Sequence, residues 1–324
     1  MPPYPEKYGG AVLSTTIDKY AYCTVTQGQV RGYAFRSADL ELSEFYPDLE
    51  SLKYNGIMDL PKSVVRAVGD SDAKNLEFSL LSDAPPGSGL GSSSALMVAI
   101  IKAVNDLLGT QGSKSSIAEM AYKLERDELR IKGGYQDQYS SAFGGLNFIE
   151  FSGTQVSVNP LRVRPEVLHE LLASLILIDT GKSRLSSDIL SRQIESYTRG
   201  DPETLETLRD IKRVATEMKS SLLNGDLRRF GELLGEEWRY KKRLDTSISN
   251  SQIESIYAAA LQNGAVGGKV LGAGDGGHML FFVEFEKRRA LTRFFESKSY
   301  RPISFSFDGQ GVISWKLRED GVLA

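Results

Sequence analysis

The segment Pro85-Pro86-Gly87-Ser88-Gly89-Leu90-Gly91-Ser92-Ser93-Ser94-Ala95 constrains the folding of this chain more than any other. Glycine at alternate positions 87, 89 and 91 works against a regular helix or strand and opens backbone conformations closed to other residues. The next residues, Ala95 to Leu108, are apolar on more than one face and unbroken, which predicts a buried helix. A loop of this kind running straight into a helix leaves free N–H groups and the positive end of the helix dipole where a ligand can approach the backbone closely. A polyphosphate suits that place. Serine hydroxyls can donate to its oxygens or ligate magnesium, a hard ion that takes oxygen ligands. The plainer alternative is a flexible linker or a turn that only caps a helix, but linkers are not usually bounded by Pro-Pro and a long buried helix. The loop is not a Walker loop, because no lysine ends it. It is not the Rossmann fingerprint either, because position 92 is serine.

A chain of 324 residues is comfortable as two domains. Hydrophobic residues make up 41% and charged residues 25%, enough apolar matter for a real core. The net charge of -3 gives no basic excess of the kind a nucleic-acid partner calls for. One cysteine, Cys23, excludes an internal disulfide framework, and two distant histidines, His169 and His278, give little support to a histidine metal site or a Ser-His-Asp triad. The start has neither an apolar leader nor a basic one, and no run is long enough to span a bilayer, so the expectation is a cytoplasmic, soluble protein without a membrane partner.

Residues 11 to 36 alternate apolar and polar around Gln27-Gly28-Gln29 and read as two strands joined by a tight turn. A short helix is expected over 59–69, a strand over 76–81, helical spacing over 116–129 and a further helix from about Asp137. Residues 146–165 read as strands and turns, and Leu175 to Asp179 as a buried strand. Helices are expected within 185–198, 202–223, 227–244 and 252–262. A second glycine cluster, Gly272 to Gly277, leads into a strand over 279–286, then a helix over 288–297 and a last strand pair within 303–315. Strands and helices mix without regular β-α-β alternation, which predicts an α+β protein with a domain boundary near 150–170.

The loop resembles the second motif of the galactokinase, homoserine kinase, mevalonate kinase and phosphomevalonate kinase superfamily, the GHMP kinases. The matching residues are Pro85, Gly89-Leu90-Gly91-Ser92-Ser93 and Ala95. Lys269-Val270-Leu271-Gly272-Ala273-Gly274-Asp275-Gly276-Gly277 is similar to the third motif, although Asp275 and His278 depart from its commoner choices. The resemblance covers nearly the whole chain. It implies a two-domain fold, an N-terminal ribosomal-protein-S5-like domain over 1–160 and a C-terminal ferredoxin-like domain over 161–324. It also implies ATP and Mg2+ as cofactors, with ATP held by Pro86, Gly87, Ser88, Gly89, Leu90, Gly91, Ser92, Ser93 and Ser94.

A kinase helps a hydroxyl attack by placing a carboxylate within hydrogen-bond reach of it and by holding magnesium on the phosphates. Asp137 comes after the glycine turn Gly133-Gly134, and Glu125 lies twelve residues before it. By position in the family pattern, Asp137 is the base, and Ser93 and Glu125 ligate the metal. Read alone, Asp137 fits a helix N-cap, and Glu125 a solvated helix face among Lys123, Arg126, Asp127 and Glu128.

Residues 9–20, Gln136-Asp137-Gln138-Tyr139, Phe143-Gly144-Gly145-Leu146-Asn147-Phe148 and Thr180-Gly181-Lys182-Ser183-Arg184 resemble the D-glycero-D-manno-heptose 7-phosphate kinase branch. That branch phosphorylates the anomeric hydroxyl of a sugar phosphate. The resemblance implies a substrate site of Gly134, Asp137, Thr180, Gly181, Arg184, Gly274 and Gly276. Lys182 and Arg184 would supply cations for the sugar's phosphate, or else they are exposed loop charges. Family members begin with an Arg-x-Pro-x-Arg-like strand and a Gly-Gly-Thr-Asp turn, and the sequence starts just after the place for both. The first N-terminal strand is therefore expected to be missing, which would leave a sheet edge exposed. A kinase for another sugar (fucose-like) or a small alcohol (mevalonate-like), or an inactive ligand-binding relative, stand as alternatives. A monomer or a homodimer is expected.

Overall fold

The computed structural model describes residues 3–69, 74–181 and 187–316. In chain order the elements begin with α1 (Tyr4–Tyr8), β1 (Gly10–Ser14), β2 (Thr16–Ile17), β3 (Ala21–Gln27), β4 (Tyr33–Ser37), β5 (Leu42–Tyr46), α2 (Asp59–Val68) and β6 (Leu76–Ser82). Then come α3 (Ser92–Leu107), α4 (Lys114–Lys123), α5 (Gln136–Phe143), β7 (Asn147–Ser152), β8 (Gln155–Pro160), α6 (Pro165–Ser174) and β9 (Leu175–Asp179). The remainder is α7 (Ser187–Thr198), α8 (Pro202–Asn224), α9 (Leu227–Arg243), α10 (Ser251–Gln262), β10 (Ala265–Val270), β11 (His278–Val283), α11 (Phe285–Ser297), β12 (Arg301–Ile303) and β13 (Phe307–Asp308).

In the first half, α3 lies across the sheet β3-β6-β4-β5. Met97, Val98, Ile100, Ile101 and Val104 recur at helical spacing and are buried with Phe35, Leu76 and Phe78 from the strands. Fully burying side chains of this kind contributes about 1.5–3 kcal/mol each, so this contact anchors the helix whose first turn carries the serines.

The expected hairpin within 11–36 does not form. β6 lies between the two strands, antiparallel to β3 and parallel to β4. Residues 28–32 are too long for a two-residue turn, and Asn75 at the head of β6 captures both ends of that loop. Its carbonyl accepts from Gly28 N at 2.9 Å and its Oδ1 accepts from Gly32 N at 2.9 Å. Local alternation marked the strands but carried no information about the non-local partner.

The second half centres on the antiparallel sheet β10-β11-β9-β12. Asp179, His278 and Arg301 stand in register at one end of it. The strand β10 escaped the sequence reading because Gly267 and Gly268 look like a turn. They are strand residues without side chains because neighbours press on them: a Cβ at Gly267 would stand 2.1 Å from Gly231 O of α9, and one at Gly268 would stand 2.4 Å from Phe281 Cδ1 of β11. The helix α6 was also missed.

The halves interleave. β1 joins β7 and β8 in a three-stranded sheet that α8 packs against, and β13 pairs with β2. Leu13 and Leu146 accordingly lie against the core of Val167, Leu171, Val214 and Phe282.

Candidate active site

Gly91 (φ +76°) is the N-cap of α3, and no side chain caps the helix. The helix thus starts at Ser92, three residues earlier than its apolar pattern suggested, with Ser93 exposed and Ser94 buried in its first turn. Gly87 and Gly89 also have positive φ, so the loop depends on glycine at all three positions.

The second glycine cluster packs directly on this loop. A Cβ at Gly89 would stand 2.7 Å from Leu271 O, and one at Gly272 would stand 2.7 Å from Gly89 Cα. His278 fastens the contact. Its backbone N donates to Ser88 O at 3.1 Å, and its buried ring Nδ1 lies 2.7 Å from the same oxygen. Thr180 closes the other side, its Oγ1 donating to Gly277 O at 2.8 Å.

Behind the serines sits Glu125, only 1% exposed. Ser93 Oγ donates to its Oε1 at 2.9 Å, Ser94 Oγ to its Oε2 at 2.7 Å, and the Gln138 amide also donates to Oε2. Glu125 is therefore not on a solvated face. The end of α4 widens into a π-helical turn over Leu124–Glu128, with Leu129 N bonded to Leu124 O at 2.9 Å. The wider turn rotates its residues relative to an α-helical count and brings Glu125 inside.

Asp137 lies in the first turn of α5, whose N-cap is Tyr135, so it is no N-cap. A Cβ at Gly91 would be 3.5 Å from Asp137 Cγ, which places this carboxylate beside the last glycine of the loop. Burial pushes its carboxyl above the ordinary carboxylate range. The Gln136 amide and the Arg126 cation pull it back, Glu125 adds to the rise, and Lys241 opposes it. The segment before Asp137 is held by Arg126, which donates to Gly134 O from Nη2 at 3.2 Å and to Ile131 O at 3.3 Å. Tyr135 stacks on Tyr122 with ring centroids 4.0 Å apart.

The structure thus gathers Pro86 to Ser94, Glu125 and Asp137 into one place. Gly134 spends its carbonyl on Arg126, whereas Gly274 packs on Ile248, where a Cβ would stand 2.6 Å from Ile248 O. Gly276 is buried in the second cluster, and Thr180 and Gly181 follow the end of β9, with Thr180 bonded to Gly277. Lys182 and Arg184 lie outside the described residues. Sequence reasoning missed Gln138 as a partner of Glu125, Arg126 as the holder of the 131–134 loop, and Lys241. Lys241 comes from α9, whose basic last turn Lys241-Lys242-Arg243 reads as solvated.

A glycine-walled anion loop, a buried carboxylate behind its serines and a second carboxylate at its mouth are the parts of a small-molecule phosphotransferase. Residues 58–145 match the GHMP kinases N terminal domain, and residues 218–301 match the GHMP kinases C terminal region. The chain is 40% identical over 318 residues to the D-glycero-alpha-D-manno-heptose 7-phosphate kinase of Campylobacter jejuni, covering 97% of this chain and 93% of that protein. It is 28% identical over 262 residues to the L-fucokinase/L-fucose-1-P guanylyltransferase of Bacteroides fragilis, covering 80% of this chain and 26% of that protein. A D-glycero-D-manno-heptose 1-phosphate kinase from Bacteroides thetaiotaomicron superposes with a TM-score of 0.82 at 30% identity, over 98% of this chain and 94% of that one. This chain belongs to the GHMP kinases, enzymes that take ATP as phosphate donor. No helix among its described residues is long and apolar enough to cross a membrane.

Proposed function

We propose that this kinase transfers the γ-phosphoryl group of ATP to the anomeric hydroxyl of D-glycero-D-manno-heptose 7-phosphate, giving the 1,7-bisphosphate. The observation that carries the mechanism is the position of Asp137 beside Gly91, at the mouth of the loop that ends in the α3 N-terminus. The sugar comes from the 40% identity over nearly the whole length of both chains.

Residues Pro86 to Ser94 form the cradle of the polyphosphate, with the open backbone N–H groups at the uncapped start of α3 as donors. Asp137 accepts the proton of the attacking hydroxyl. A carboxyl raised by burial is a better base than an ordinary one, provided the pH lies above its raised value. Arg126 keeps the segment before Asp137 fixed, so the base does not wander from the acceptor.

The donor set suits Mg2+, which binds through one or two carboxylates together with substrate phosphates and water. Ser93 Oγ and Glu125 Oε1 lie 2.9 Å apart, and Gln138 Oε1 is a buried oxygen without a hydrogen-bond partner. When bound, the ion would offset charge on the phosphates. Ser93 and Glu125 would hold it, and Gln138 and Ser94 keep Glu125 oriented whether or not it is there.

The substrate site is assigned to Gly134, Asp137, Thr180, Gly181, Arg184, Gly274 and Gly276, in a protein divided near residue 160 and acting in the cytoplasm as a monomer or a homodimer. Thr180, one residue past β9, donates to Gly277 O from both its backbone N and its Oγ1. Measuring ADP release with heptose 7-phosphate, fucose, galactose and mevalonate tests the reading. Turnover is expected with the heptose phosphate above the others. A preference for fucose or mevalonate would move the assignment to another member class, and no turnover with any acceptor would support an inactive relative.

A further inference from the structure

Lys241 projects from the last turn of α9 and is half-buried. Its Nζ donates to Val270 O at 3.3 Å and to Gly272 O. Gly272 is the residue that touches Gly89 of the nucleotide loop, and two residues on from Gly89 stands Gly91, against Asp137. The ammonium is thereby tethered to the second glycine cluster at the point where that cluster meets the loop.

Its partners do not neutralise it. Both are carbonyl oxygens, and among the described residues no carboxylate makes an ion pair with Lys241. The neighbouring Glu237 is already paired with Lys269 at 2.8 Å. The charged groups acting on Lys241 are Lys269 from β10, Glu237 from α9 itself and Asp137 from α5. Burial and Lys269 pull the ammonium down to about 8 against the opposing pull of Glu237 and Asp137, so it is largely charged at neutral pH. A half-buried cation whose hydrogen bonds all go to carbonyl oxygens keeps its charge available to an anion during the working cycle. The anion this site receives is the polyphosphate.

We propose that Lys241 is a further catalytic residue: its ammonium, fixed by the carbonyls of Val270 and Gly272, meets the phosphoryl group passing from ATP to the acceptor. In the step itself the acceptor oxygen forms a bond to the γ-phosphorus, its proton goes to Asp137, and the bond from the γ-phosphorus to the bridging oxygen breaks with its electron pair leaving on ADP. Lys241 forms and breaks no covalent bond. It balances charge on the transferred group from the C-terminal half of the chain, while Glu125 in the N-terminal half would hold an ion that supplies the same kind of charge balance.

The inference rests on the kinase reading of Asp137 and the glycine loop. Its test is steady-state kinetics of Lys241→Met and Lys241→Arg beside the unaltered protein and Asp137→Asn, with ATP affinity from equilibrium binding and thermal unfolding of each. Lys241→Met is expected to lower kcat about 10²-fold, as loss of one preorganised charge at a reacting group does, while ATP affinity changes by less than about threefold. Lys241→Arg, which keeps the charge, is expected to recover most of the loss. A Lys241→Met variant with wild-type kcat, or a loss matched by equal loss of ATP affinity and not recovered by arginine, overturns the proposal and leaves Lys241 a structural staple. If methionine prevents folding, the arginine variant decides: kcat near wild type supports the proposal, and a loss as large as that of Asp137→Asn overturns it. No turnover by the unaltered protein removes the kinase reading and this inference together. Turnover abolished by Asp137→Asn but untouched by Lys241→Met removes this inference alone.

Discussion

Glu125 offers the sharpest separation between stability and chemistry. Replacing it with alanine removes the acceptor of two buried donors, the Ser94 hydroxyl and the Gln138 amide, and leaves Ser93 free to turn to water because that residue is exposed. Each buried donor stripped of its partner costs about 1–3 kcal/mol, so Glu125→Ala is expected to lose about 2–6 kcal/mol in all. Glu125→Gln behaves differently. The Ser93 bond survives on the remaining carbonyl oxygen. The new NH2 group faces the Gln138 amide, whose own Oε1 has no partner, so a flip of Gln138 turns an acceptor toward it. The Ser94 hydroxyl turns to accept from the same NH2 group, and the flip leaves one buried Gln138 N–H in place of the unpartnered oxygen, so the cost shrinks to about 1–3 kcal/mol, one stripped donor instead of two. Both variants lose the carboxylate charge that would anchor Mg2+, so both are expected to lose kcat by about 10²-fold or more, a metal's charge stabilisation being worth several kcal/mol. Urea denaturation and Mg2+-dependent turnover measured on the same preparations check this. Equal destabilisation in the two variants would refute the hydrogen-bond network as described. Turnover by Glu125→Gln within about threefold of wild type would refute the metal role, since that is well under one 1.36 kcal/mol step.

Other perturbations separate neighbouring parts of the site. Asp137→Asn is expected to lower kcat about 10²–10⁴-fold, the range for a general base. Because the folded protein favours the protonated carboxyl, ionising Asp137 costs stability above its raised value. Asp137→Asn should therefore melt higher than wild type at pH 8, with the gap closing as the pH falls toward the ordinary carboxylate value of about 4. The acidic limb of wild-type kcat should likewise lie above that value; a limb at or below it contradicts the burial argument. Gly91→Ala meets only ordinary contact with Asp137 and should cost about 1–2 kcal/mol of left-handed strain, read from the unfolding midpoint. Gly89→Ala adds a clash with the backbone of Leu271 and Gly272, costing a further 1–3 kcal/mol or so, and should also weaken ATP binding. Equal effects at the two glycines would mean that the two loops are not in contact.

Much of this site was legible because glycine spacing and helix starts are local. The loop, the buried helix after it and the second glycine cluster each declare themselves within a dozen residues. Of the residues that the family pattern marks, Ser93 bonds Glu125 and Asp137 stands beside Gly91. The features that stayed hidden depended on distance or on a small change of helical phase. Five residues of π-helix turn Glu125 from an apparent surface residue into a buried one. The insertion of β6 between β3 and β4 depends on Asn75, more than forty residues from the loop it captures. Lys241 sits in a basic run whose neighbours are surface residues, and only the fold turns it toward the glycine cluster. The strand β10 went unassigned because its glycines, which serve close packing against α9 and Phe281, carry no strand pattern.

The central claim is the transfer of a phosphoryl group to the anomeric oxygen with Asp137 as base. Phosphorus NMR of a reaction containing the protein, ATP, Mg2+ and D-glycero-D-manno-heptose 7-phosphate tests it directly. One new sugar phosphate signal at the anomeric carbon, formed in step with ADP and absent with Asp137→Asn, is the expected result. Transfer to another hydroxyl, or the same product at the same rate from Asp137→Asn, would contradict it.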